Sequence, residues 1–373
     1  MKKTKSNHRQ GGVSLCAKSK IKNSNTSFEL EVKEYKFRIE EFLKNYLEGE
    51  KKKLASISPV SLQIMDFVIE FCMRGGKRLR AILLIKGYEA VGGKKETDII
   101  HTSICMELME AFLLIHDDII DNDPIRRGGP SFHKLVGNWR KSGTFGVSAG
   151  IMAGDMLSNL GASVILSSKF KEEFKLGALK EYNDSLLSCF QGELYDVILE
   201  NESRVSEEQL LRMIGLKTSS YTTVAPLVIG AMFGGANSSK VEVFRKFGIL
   251  LGAAFQITDD ILGSFGEEKK LGKPVNSDIR QGKKTLLSIY AMDNASSSEA
   301  RVLERNLGNK NLTEKDFDDV REIFIKTGAL DYAKSKARGY ISKAKNLLIS
   351  ARFESKATKF LLELSDFMIT RKL

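Results

Sequence analysis

The feature that most constrains this chain is how seldom its helical hydrophobic pattern is interrupted. Only five prolines occur in 373 residues, and three of them, Pro124, Pro130 and Pro274, fall just after the two places where aspartates gather. Proline fixes φ and removes a backbone donor, so it ends or kinks a helix. Between these breaks, apolar residues recur at helical spacing over 28–47, 59–88, 97–121, 145–168, 170–200, 215–235, 244–262 and 310–373. No strand-like alternation flanked by turn residues stands out. The expected fold is all-α: one domain over residues 29–373, a many-helix bundle around a central apolar cavity, with its breaks concentrated at a shared mouth.

Residues 1–28 are rich in Lys, Ser and Asn and show no periodicity, which predicts a disordered basic tail. A transit peptide is the alternative, although such leaders are typically Arg-rich and this stretch has one Arg against six Lys. Those seven cations carry most of the formal charge of +11, so the body is only mildly basic and no basic stripe interleaved with aromatics marks a nucleic-acid surface. No charge-free apolar run reaches the roughly 18 residues that suggest a membrane span, so an integral membrane protein is not expected. Cys16, Cys72, Cys105 and Cys189 lie far apart and form no CxxC pair, which points to buried thiols and a cytoplasmic setting.

The stretch from Leu113 to His133, LLIHDDIIDNDPIRRGGPSFH, delivers Asp117, Asp118, Asp121 and Asp123 at a helix end and then breaks into a Pro, Arg and Gly loop. Asp117 and Asp121 are four apart and share a helix face, where like charges repel unless a cation lies between them. A solvated acidic helix end is the bland reading. A second pair, Asp259 and Asp260, also follows a long apolar run and also leads into a Gly, Pro and Lys loop, so the two ends could face each other across a cavity. The turn Gly75-Gly76-Lys77-Arg78 before Arg80 suits an anion, above all phosphate, or else is a simple capping turn. Oxygen ligands of this kind suit Mg²⁺ shared with substrate phosphates. No His and Cys set has zinc spacing, no GxxxxGK[ST] loop is present, and no activated nucleophile can be argued. What remains is chemistry in which diphosphate leaves and an apolar cavity holds the carbon skeleton.

Four blocks carry a resemblance to a known family: GGKRLR at 75–80, HDDIIDNDPIRRGGPSFH at 116–133, LKTSSYT at 216–222 and FQITDDILGSFGEEKKLGKPVNSDIRQGKKTLL at 255–287. In this order and at these intervals they resemble the trans-type isoprenyl diphosphate synthases, or polyprenyl synthetases, over about residues 30–373. The resemblance implies the isoprenoid-synthase bundle, a homodimer, and condensation of isopentenyl diphosphate with allylic diphosphates by ionisation, condensation and proton loss. It implies about three Mg²⁺ ions per site, shared with substrate phosphates, ligated by Asp117, Asp121 and Asp259, with Asp118, Asp260 and Gln256 in support. Arg126, Lys217 and Lys273 would hold the allylic diphosphate. Gly76, Lys77, Arg80 and Arg127 would hold isopentenyl diphosphate, and Lys283 is a further substrate-binding residue. Lys217 and Thr218 would also stabilise the carbocation through backbone and side-chain oxygens.

Product length in this family is set one and two turns before the first motif, where this chain has Phe112, Leu113 and Met109. Phe112 would floor the pocket, or else is simply core, and the motif has no insertion between Asp118 and Asp121. Both features resemble archaeal-type short-chain geranylgeranyl synthases, with farnesyl synthases as the alternative. Three positions depart from the family pattern. Glu110 stands where His or Gln is usual and would repel a diphosphate unless protonated or turned toward Lys or Arg. Glu193 stands where Gln is common, and Gly263 stands where farnesyl synthases carry Asp. A non-catalytic modulating subunit is disfavoured because both Asp motifs are intact. A terpene cyclase is disfavoured because it would not need GGKRLR or the paired arginines.

Overall fold

The computed structural model describes residues 26–266 and 277–370; Lys273, Pro274 and nearly all of the expected tail lie outside the described residues. Helix α1 spans Ser27–Leu54 and is opened by a capping box in which Thr26 and Glu29 satisfy each other's backbone donors. Its Tyr35, Ile39, Leu43 and Leu47 are buried at four-residue spacing, so one stripe faces the bundle. There follow α2 (Pro59–Met73), α3 (Leu79–Ala90) and α4 (Glu96–Ile120). After a short break come α5 (Phe132–Arg140), α6 (Gly143–Leu166), α7 (Glu172–Glu200) and α8 (Glu207–Ile214). A ten-residue π-helical segment, Gly215–Val224, runs directly into α9 (Ala225–Phe233), and α10 covers Ser238–Phe265. The chain then forms α11 (Ser277–Gln281), α12 (Leu286–Asn294), α13 (Ser297–Asn306), α14 (Glu314–Lys326), α15 (Ala329–Ala351) and α16 (Ser355–Ile369).

Helices α4 and α10 form the centre: α4 packs on α1, α3 and α6, and α10 packs on α9, α15 and the π-helical segment. Both carry their aspartates toward their C-terminal ends, where the helix dipole is negative and favours cations. The buried apolar residues form one cluster running from Phe28 to Met368.

Two observations modify the sequence-based picture. The loop after Asp121 contains a minimal antiparallel hairpin, Ile125–Arg126 (β1) paired with Gly129–Pro130 (β2). Its turn residues Arg127 and Gly128 both have positive φ, 51° and 75°, the pattern of a type I′ turn. Too few residues are involved for any alternation to announce it. In addition, α4 and α6 are long and apolar enough to cross a membrane by length and composition alone. Helix α4 is largely sheathed by the bundle, whereas less than half of the apolar stretch of α6 is buried.

Candidate active site

The ends of α4 and α10 meet the π-helical segment around a cavity of about 450 Å³. Asp117 and Arg126 line one side, Gln256, Asp259 and Asp260 another, and Lys217, Thr218 and Lys283 complete the polar mouth. Cations meet the acidic groups of the first motif. Lys217 Nζ lies 2.8 Å from carboxylate oxygens of both Glu193 and Asp196 and 3.7 Å from Asp117. Lys283 donates to Asp121 at 2.8 Å, although Asp121 itself is not part of the cavity lining. From the π-helical segment Thr218 donates to Gln256 Oε1 on α10, and Gln256 donates to Asp260 Oδ1, both at 2.8 Å. Burial opposes the charge on Lys217, but the surrounding acids outweigh it and hold its pKa well above the ordinary lysine value.

Asp118 differs from its neighbours. Its side chain has no solvent exposure, and it accepts from Arg126 Nε at 2.7 Å. Burial pushes its carboxyl up to about 6, with Arg126 opposing the shift. Arg126 also reaches Asp117 at 3.1 Å and Asp123 at 3.6 Å, so the hairpin is tied to the end of α4 by one guanidinium.

The π-helical segment is a local consequence of close packing. A Cβ at Gly192 of α7 would lie 2.2 Å from the backbone nitrogen of Lys217, and one at Gly252 of α10 would lie 2.5 Å from Ser219 Oγ. Glycine at both positions lets two helices approach a widened turn that presents Lys217 and Thr218. Thr223 Oγ1 donates to the carbonyl of Gly248 at 2.6 Å and fastens the far end.

Of the residues expected to form a second anion site, Arg80 and Arg127 line the cavity, and Gly76 packs beside the Arg127 guanidinium. Lys77 lies over the ring of Phe367 on α16, 4.6 Å from its centroid, and is not part of the lining. Arg80 donates to Thr222 at 2.9 Å and stacks on Tyr221 at 4.6 Å. Glu110 Oε1 lies 2.8 Å from both Arg80 and Arg127, so this carboxylate is indeed turned toward arginines. Burial would raise its pKa, but Arg80, Arg127 and Arg78 together hold it below the ordinary glutamate value. Arg78, buried and in a left-handed backbone conformation at the start of α3, donates to Glu107 at 3.1 Å and to the Cys72 carbonyl at 2.8 Å. It anchors the glycine turn and does not face the cavity.

Phe112 lines the apolar end, its ring edge-on to His116 and Phe190 with centroids 4.8 and 5.9 Å away. Leu113 also lines the cavity, while Met109 is fully buried in the core and does not. Sequence reasoning overlooked Tyr221, Phe190 and Asp278. Tyr221 sits one helical turn beyond Lys217, a spacing that could have flagged it, whereas Phe190 was masked by the polar patch that follows it. Asp278 lines the cavity from α11, and a Cβ at Gly263 would meet its carboxylate at 2.8 Å. Asp278 thus puts a carboxylate beside the position where farnesyl synthases carry one of their own.

Helix ends bearing opposed carboxylates and cations over an apolar pocket define a class of diphosphate-handling helix bundles, and comparison with known proteins narrows the class. The Polyprenyl synthetase family model matches residues 62–324. The geranylgeranyl diphosphate synthase of Sulfolobus acidocaldarius is 33% identical over 341 residues, covering 90% of this chain and 96% of that protein. The geranylfarnesyl diphosphate synthase of Aeropyrum pernix is 36% identical, covering 80% and 91%. In three dimensions the chain resembles a geranylgeranyl pyrophosphate synthase from Corynebacterium glutamicum, crystallised with isoprenyl diphosphate and magnesium, with a TM-score of 0.86 and 26% identity over 91% of this chain and 99% of that one. The chain belongs to the polyprenyl synthetase family and is a trans-prenyltransferase.

Proposed function

We propose that this enzyme condenses isopentenyl diphosphate with short allylic diphosphates and that its main product is geranylgeranyl diphosphate. The observation that carries this reading is the pair of carboxylate-bearing helix ends facing one cavity whose apolar end is closed by Phe112. The names of the relatives in Sulfolobus acidocaldarius and Aeropyrum pernix support the short-chain class.

In this reading Arg126, Lys217 and Lys283 receive the allylic diphosphate, with Lys273 a further candidate, and Arg80 and Arg127 receive that of isopentenyl diphosphate. Asp117, Asp121 and Asp259 offer hard oxygen ligands, and among the described residues no three acidic or histidine side chains form a ready-made cage. That donor set fits Mg²⁺, which is usually held by one or two carboxylates and by substrate phosphates. When bound, Mg²⁺ supplies neutralisation of the charge that builds on the leaving diphosphate. Lys217 and Arg126 add fixed positive charge at the same oxygens. Thr218 Oγ1 and the carbonyls of the π-helical segment face the carbon centre left behind, and the apolar wall around Phe112 keeps water from it. The departing diphosphate is the base for the final proton.

A homodimer belongs to the same reading. Leu187, Phe190, Leu194 and Ile198 make an exposed apolar stripe on α7, and Ile151 and Met152 extend it on the adjoining α6. A contiguous apolar surface of that kind marks an association face. A cytoplasmic location is supported by Cys72, Cys105 and Cys189, which are buried free thiols.

The test is incubation of the purified chain with Mg²⁺, isopentenyl diphosphate and, separately, dimethylallyl, geranyl, farnesyl and geranylgeranyl diphosphate, followed by chromatography of the dephosphorylated products. Geranylgeraniol as the dominant product, abolished by chelation and restored by Mg²⁺, is the expected result. No product from any primer would overturn the proposal.

A further inference from the structure

We propose that Glu110 is a positioning and specificity residue of the second diphosphate site: a resident counter-ion that bridges Arg80 and Arg127 and must be displaced or shared when isopentenyl diphosphate binds. The inference rests on the assignment of those two arginines to that substrate. One carboxylate oxygen lies 2.8 Å from both guanidinium groups, joining α3 to the hairpin turn. Arg80 does not depend on Glu110 alone for its position. It is also held by Thr222 and by the face of Tyr221, while the Arg127 guanidinium packs beside Gly76, and an uncharged acceptor at position 110 keeps both guanidinium groups bonded.

Removing the negative charge therefore changes the electrostatics of the pair more than its geometry. With Glu110 in place, the incoming diphosphate meets cations that are already partly neutralised, and it is brought beside a buried carboxylate of its own sign. With an uncharged side chain of similar size, the two cations repel until the diphosphate arrives, and its affinity rises. Glutamine keeps a carbonyl oxygen that accepts from both arginines and adds an amide donor for a phosphate oxygen. Histidine offers a ring nitrogen in the same place.

The experiment compares wild type, Glu110→Gln and Glu110→His in steady-state kinetics, varying each substrate with the other saturating. Thermal melting verifies that each variant is folded. Isothermal calorimetry of isopentenyl diphosphate in Mg²⁺-free buffer provides a readout that does not depend on turnover. Both variants are expected to lower KM and Kd for isopentenyl diphosphate about tenfold, the effect of about 1.4 kcal/mol, with KM for the allylic substrate unchanged. A folded variant whose KM and Kd for isopentenyl diphosphate equal or exceed those of wild type would overturn the inference and make Glu110 a structural brace. Wild type without turnover would count against the proposed function, and the calorimetric comparison would still decide the role of Glu110.

Discussion

Arg126 donates through Nε to Asp118 at 2.7 Å, and the Asp118 side chain is wholly shielded from solvent. The adjacent aspartates of the first motif therefore act in different directions. Asp117 faces the cavity, while Asp118 faces inward and fixes the hairpin that carries Arg126 and Arg127. Replacing Asp118 with Asn takes the fully buried charged partner from the guanidinium and leaves Asp117 and Asp123, which are more exposed, and it should lower stability by about 1–3 kcal/mol. Replacing Asp117 with Asn should leave the melting temperature nearly unchanged and lower kcat by about a hundredfold or more, the scale for losing one electrostatic stabiliser. Thermal melts and steady-state kinetics on the two variants would separate these roles, and the reverse pattern would refute the division.

Phe112 makes a second prediction. Its ring closes the apolar end of the cavity against His116 and Phe190, and α6 approaches so closely that a Cβ at Gly154 would lie 2.3 Å from His116 Nε2. Such a wall cannot yield by shifting the helix. Phe112→Ala should open room below the product and move the main alcohol found by chromatography to a longer chain. It should also destabilise the fold, by less than the roughly 3–5 kcal/mol of a fully enclosed Phe→Ala change, because one face of the ring already borders the cavity. An unchanged product would assign Phe112 to the core alone.

The helices and the position of the mouth were legible in the sequence because both rest on local physics. Apolar residues at helical spacing and scarce prolines define the helices, and carboxylates gathered beside the breaks define the mouth. The hairpin was not legible, since it needs Arg127 in a left-handed conformation that only its tertiary ties to Glu110 and Gly76 explain. The π-helical segment was equally hidden: its sequence, GLKTSSYTTV, has no unusual local propensity, and its widened turn depends on glycines in α7 and α10 that are distant in the chain. The placement of Lys77 was hidden for a similar reason. Spacing placed it beside Arg80, but the turn directs it onto Phe367, near the far end of the chain. Glu110, which stood out in the sequence as a carboxylate beside an expected diphosphate site, is turned by the fold onto two arginines.

The dependence of the π-helical segment on remote glycines can be measured. Gly192→Ala would press a methyl group into the Lys217 backbone, and overpacking of that kind costs about 1–3 kcal/mol. Because the strain falls on the segment that presents Lys217 and Thr218, kcat should fall more than stability alone accounts for. Gly49, within α1, is the control, since a Cβ added there would meet nothing within 4 Å. Gly49→Ala should stabilise the protein by about 0.5–1 kcal/mol through helix propensity and leave kinetics untouched. Equal effects of the two substitutions on activity would show that close approach at Gly192 does not govern the site.

The exposed stripe on α7 would link the proposed homodimer to the chemistry. Leu187 and Leu194 are 61% and 59% exposed, values unusual for large apolar side chains arranged along one helix face. Phe190 lies between them and is 40% exposed, and it lines the cavity and meets the Phe112 ring. Phe190 therefore belongs both to the stripe and to the cavity wall. A second copy on this face would seal that wall, and its loss would loosen Phe190 and hence the floor beneath the growing chain. The double variant Leu187→Glu, Leu194→Glu puts charges on the face without touching the polar mouth. Light scattering should show a dimer for wild type and a monomer for the variant, and the variant's products should spread over several chain lengths. A monomeric wild type would refute the assembly, whereas a monomeric variant with a single unchanged product would show that Phe112 closes the cavity without help from the partner.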